Sequence, residues 1–74
     1  MMTNEVLIEK LEDMGFEYES NIIGWEMNLV HNDIHFNVSC YDGDPILSIN
    51  KDEIGYPYRI SNDTIFEEIE KYIK

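Results

Sequence analysis

Apolar and polar residues alternate twice in succession near the middle of this chain, and the phase reverses between the two runs. In Trp25-Glu26-Met27-Asn28-Leu29 the odd positions are apolar, whereas in Ile34-His35-Phe36-Asn37-Val38-Ser39-Cys40 the even positions are. Successive side chains of a strand point to opposite faces, so each run predicts a strand with one buried and one wet face. Asn32-Asp33 between the runs and Asp42-Gly43 after the second are pairs that tolerate the left-handed backbone of a tight hairpin. Together they predict an antiparallel meander. Phe16-Glu17-Tyr18-Glu19 predicts a short strand ahead of it with Phe16 and Tyr18 inward, and Ile46 to Asn50 a strand after it, introduced by Pro45. Lys51 to Gly55 is polar and predicts a turn. Pro57 cannot donate to a ladder, which makes Tyr56 to Ile60 an edge strand or an extended connector.

Both ends of the chain change to the helical period. Thr3 or Asn4 can cap a helix that runs to Met14 and stops at Gly15, with Leu7, Ile8, Leu11 and Met14 on one side and Glu5, Glu9, Glu12 and Asp13 on the other. Ser61, Asn62 or Asp63 can cap a second helix from Thr64 to Ile73, whose apolar stripe is Ile65, Ile69, Tyr72 and Ile73. Two helices with one apolar stripe each and a sheet with one apolar face must bury each other. The expected fold is therefore α+β in two layers: an N-terminal helix, an antiparallel meander of three to five strands and a C-terminal helix, in a single domain over residues 1–74. The outer sheet face would display Glu17, Glu19, Glu26, Asn28, His35, Asn37, Ser39 and Tyr41, and carry no apolar patch. Of the aromatic residues, Trp25, Phe36 and Tyr72 are expected in the core, and Tyr56 and Tyr58 near an edge.

Composition adds one strong feature, an excess of negative charge. Sixteen Asp and Glu stand against five Lys and Arg, a net charge of −11. Residues 11–50 hold eight of the acids, Glu12, Asp13, Glu17, Glu19, Glu26, Asp33, Asp42 and Asp44, and no Lys or Arg. A field of one sign repels nucleic acid and anionic membranes and steers cationic partners in. The expected partner is accordingly a basic protein surface of the kind that binds nucleic acid, with Glu17, Glu19, Glu26, Asp33, Asp42 and Asp44 as the contacting acids; neither nucleic acid itself nor a membrane is expected to bind, and the chain itself should be a monomer or a weak homodimer. The N-terminal residues carry no secretion signal and no apolar run reaches membrane-spanning length, so a cytoplasmic location is expected. Eleven Ile and seven Asn with no Ala and no Gln are the usage of an AT-rich genome, such as that of a low-GC bacterium, its phage or another mobile element.

Catalytic and metal chemistry find little support. Cys40 shares its face with Ile34, Phe36 and Val38, which reads as a small buried hydrophobe, and His35 lies on the opposite face of that strand. His31 and His35 are separated by a turn and lack further soft ligands nearby in sequence. Asp42 and Asp44 are explained by hairpin chemistry, without the Asp-rich loop of a calcium-binding helix pair. No cofactor, metal or enzymatic activity is expected. The order of elements is shared with double-stranded RNA binding domains, but those meet phosphates with a basic surface that this composition cannot supply.

In element order and charge the chain resembles the small acidic inhibitors of phages and mobile elements, in particular anti-CRISPR proteins of the DNA-mimic type. That resemblance implies an inhibitor occupying the basic nucleic-acid channel of a host protein, such as a CRISPR nuclease. A non-enzymatic interaction module, for example a small immunity or regulatory protein, is the alternative from charge alone.

Overall fold

The computed structural model describes residues 2–41, 43–50, 52–54 (backbone) and 61–73. Helix α1 spans Asn4–Met14, followed by strands β1 Glu17–Ser20, β2 Trp25–His31, β3 Ile34–Cys40, β4 Ile46–Ile49 and β5 Asp52–Ile54, and helix α2 Asn62–Ile73. The fold is the expected α+β arrangement, with five strands in the order β1-β2-β3-β4-β5, each antiparallel to its neighbour.

The helix ends follow the residues at them. Thr3 caps α1, its hydroxyl accepting from the Val6 N–H at 3.2 Å. At the other end Gly15 takes φ +108°, which lets Gly15 N–H reach the Glu12 carbonyl and Phe16 N–H the Leu11 carbonyl, both at 3.0 Å. This crossed pair satisfies carbonyls that a helix end would otherwise leave open. Ser61 caps α2, accepting from the Thr64 N–H at 3.2 Å. Asn62 joins the starts of the two helices, donating to the Met2 carbonyl at 3.1 Å and to the Asn4 side-chain oxygen at 2.7 Å.

Turn chemistry sets the strand register. Asn32 and Asp33 adopt φ +49° and +66°, so the β2-β3 hairpin closes in two residues with His31 opposite Ile34 and Met27 opposite Val38. That register puts the apolar residues of both runs on one face. Leu7, Leu11, Phe16, Met27, Phe36, Val38, Leu47, Ile49, Ile65 and Ile69 form the core between this face and the helices. Phe36 lies at its centre, fully buried, with the Phe16 ring 6.2 Å and the Tyr72 ring 5.8 Å away between centroids.

Several expectations are corrected. Residues 52–54 form a strand rather than part of a turn: Asn50, at φ +51°, reverses the chain directly after β4, and main-chain pairing of Leu47 with Ile54 and Ile49 with Asp52 needs no apolar alternation. Tyr18 shares the inner face but is 44% exposed, because β1 is a short edge strand and its ring stacks on half-buried Trp25 at 6.2 Å instead of reaching the helices. Tyr72 touches Phe36 with one edge and is otherwise exposed. Cys40 is only half-buried, at the strand end, with its thiol 3.1 Å from the Gly43 carbonyl. The extended segment expected at Tyr56 to Ile60, and Asp42 of the second hairpin, lie outside the described residues.

Candidate interaction surface

The helices cover one side of the sheet, and the opposite side faces solvent. Glu17 pairs with Asn28, Asn28 with Asn37, and Asn37 with Ser48; one step along the strands, Glu19 pairs with Glu26, Glu26 with Ser39, and Ser39 with Ile46. These two rows cross the open face. Glu17, Glu19 and Glu26 therefore sit together on adjacent strands. Same-face neighbours along β1 are about 6.8 Å apart, and directly opposed residues about 5 Å between Cβ atoms.

Glu26 is the best anchored of the three. It is half-buried, and the Asn37 amide donates to its Oε1 at 3.2 Å while also donating to the Asn28 side-chain oxygen at 2.9 Å. Tyr41 also senses this carboxylate: hydrogen bonding to Glu26, then desolvation and the charges of Glu26 and Glu19, raise its pKa above the usual value. His35 approaches the same Asn28 oxygen with Nε2 at 3.4 Å, and its main chain exchanges two bonds with Asn50, N–H to Oδ1 at 3.0 Å and carbonyl to N–H at 2.8 Å. Glu26, Asn28, His35, Asn37 and Ser48 line a shallow open depression of about 410 Å³.

The six acids expected to make contact do not form one cluster. Asp33 lies at the β2-β3 turn and Asp44 in the loop after β3, at opposite ends of a strand about 20 Å long. Asp33 and Asp44 are both exposed, and Asp42 lies outside the described residues. His31 and His35 face opposite sides of the sheet, and among the described residues no group of three His, Cys, Asp or Glu could hold a metal. Among the same residues no helix is long and apolar enough to cross a membrane.

Strand alternation located Glu17, Glu19 and Glu26 on the outer face, but pairing decided that they are neighbours. The expectation of an outer face without apolar patches is corrected by exposed Val30 and Ile46, which fall on it by register. Ile22 and Ile23 at the β1-β2 turn also stand exposed. Two adjacent β-branched apolar residues directly before Gly24, between two alternating runs, were the available signal for that tip.

Searches of family models, of curated proteins and of solved structures find no match for this chain.

Proposed function

We propose that this chain is a non-enzymatic acidic interaction module that lays its open sheet face on the basic, nucleic-acid-binding surface of another protein in the cytoplasm and so competes with nucleic acid. The supporting observation is the grouping of Glu17, Glu19 and Glu26 on the uncovered face, while the described cations, Lys10 and Lys71, both lie on helices. Lys10 sits 5.1 Å over the Phe66 ring and Lys71 pairs with Glu68 at 2.7 Å. A partner's arginines or lysines would thus meet carboxylates with no neighbouring cation among the described residues to compete for them. Carboxylates spaced about 5 to 7 Å on one sheet face present a small patch of negative charge to the same basic residues that meet the phosphates of duplex DNA. The resemblance to anti-CRISPR inhibitors makes an RNA-guided nuclease the first partner to test.

The test is displacement of labelled duplex DNA from such a nuclease across a salt series, with the wild-type chain and with E17Q/E19Q/E26Q. Exposed charge pairs contribute about 0.2 to 1 kcal/mol each, so the triple variant should lose roughly 0.6 to 3 kcal/mol of affinity, and less as salt rises. Equal displacement by the triple variant and the wild type would sink the proposal.

A further inference from the structure

The turn joining β1 to β2 presents apolar side chains to solvent on a fixed frame. Ile22 is fully exposed and Ile23 is 70% exposed. Asn21 holds them there: its side-chain oxygen accepts from the N–H groups of Ile23 at 3.0 Å and Gly24 at 2.9 Å, and its own N–H donates to the Gly24 carbonyl at 2.9 Å. Gly24 packs so closely on β3 that an added Cβ would overlap the Cys40 carbonyl and lie 2.8 Å from Tyr41 Cα. The tip is therefore ordered before anything binds, which removes an entropic cost of association.

This tip is continuous with the acidic row. Gly24 of the turn abuts the main chain at Tyr41, the residue whose pKa is raised first by Glu26, so the turn and the acid are neighbours. Tyr41 and Ile46 are themselves exposed, and Ile46 stands in the same cross-strand row as Glu19 and Glu26. Isolated exposed apolar residues are ordinary on a protein surface; four at one end of a sheet beside paired carboxylates offer several apolar contact points with a charged margin.

We propose that Ile22, Ile23, Tyr41 and Ile46 anchor a basic amphipathic segment of the partner, whose apolar side chains rest on them while its cations meet Glu19 and Glu26. This rests on the interaction reading above and names the chemistry of the segment it receives. Charge selects this occupant: a second copy would bring another net charge of −11, and an anionic bilayer would repel the same acids.

The probe is a labelled amphipathic helical peptide of leucine and lysine, with a serine and lysine peptide of equal charge as control, titrated by fluorescence anisotropy. I22S/I23S should weaken the leucine peptide by about tenfold and leave the serine peptide unchanged, as expected for loss of an apolar anchor. E19Q/E26Q should weaken both several-fold, more than E9Q/E12Q on α1. Unchanged affinity of I22S/I23S for the leucine peptide overturns the anchor, whereas equal effects of the two glutamate variants overturn the interaction reading instead. The single variant I22S, at a position touching nothing, repeats the test if the double variant melts early. Sedimentation velocity and flotation with phosphatidylcholine vesicles complete it: an oligomer dispersed by I22S/I23S, or vesicle binding abolished by it, overturns the proposal in favour of self-association or a bilayer.

Discussion

Glu19 and Glu26 stand directly opposite each other across the β1-β2 pair, two carboxylates on one face of an antiparallel sheet. Like charges so placed oppose folding, and a cationic partner would relieve the repulsion. The cost falls on the free chain and would be recovered in the proposed complex. E19Q should therefore stabilise the isolated protein by roughly 0.2 to 1 kcal/mol, and E19K by more, because an opposite-charge pair replaces a like-charge one. Urea denaturation at low salt would show the gain, which should shrink at high salt. Both variants should bind a basic partner less well. Parallel losses of stability and binding would contradict this account.

Phe36 carries the core. It is fully buried, with the Phe16 and Tyr72 rings against it, so truncating it leaves a cavity at the centre of the core. Phe36→Ala should cost about 3 to 5 kcal/mol, a large share of the roughly 4 to 11 kcal/mol expected for 74 residues. Circular dichroism should show a strongly lowered thermal transition for Phe36→Ala, and a less lowered one for Phe36→Leu.

The parts of this fold that were legible in the sequence are those governed by local rules. Thr3, Gly15 and the pair Asn32-Asp33 do what their residue types predict, and alternation placed Met27, Phe36 and Val38 inside. Strand β5 was not legible, since Asp52-Glu53-Ile54 pairs through its main chain without an alternating pattern. Nor was the link from Asn62 to Met2 and Asn4, which joins residues about sixty positions apart. For the candidate site, side-chain parity identified the outward acids, but only register shows that Glu19 faces Glu26 while Asp33 and Asp44 lie at opposite ends. Parity also gave Tyr18 an inward direction and could not show that the short edge strand leaves it outside the helices' cover.

Gly24 and Gly43 should respond to alanine for different reasons and by different amounts. At Gly43, φ +102° strains any side chain, but nothing lies within 4 Å of an added Cβ. Gly43→Ala should cost about 1 to 2 kcal/mol from backbone strain alone. At Gly24 the added carbon would meet backbone atoms of Cys40 and Tyr41, which cannot rotate aside. Gly24→Ala should cost about 3 kcal/mol or more, since overpacking there must part the end of β2 from β3. Urea midpoints compare the two directly, and an equal or smaller effect at Gly24 would show that the tip is not held against β3.

Tyr41 gives the acidic row a spectroscopic signature. Its pKa is raised above 10.0 chiefly by hydrogen bonding to Glu26, with partial desolvation and the charges of Glu26 and Glu19 acting in the same direction and Asn21 opposing them. A tyrosine whose folded pKa exceeds its unfolded value favours folding through its neutral form. That contribution is complete below the unfolded pKa and is lost as pH rises through the folded one, because the unfolded chain releases the proton first. The wild-type protein should therefore lose stability above pH 10 in a way that Tyr41→Phe does not. With tyrosine rings carbon-13 labelled and Tyr41 assigned by comparison with Tyr41→Phe, its NMR titration should move back toward the ordinary tyrosine range in E26Q and by less in E19Q. Added salt should reduce the part due to charge and leave the part due to the hydrogen bond. A Tyr41 titration unaltered by E26Q would show that Tyr41 is not hydrogen-bonded to Glu26, and the link between the isoleucine tip and the acidic row would be lost with it.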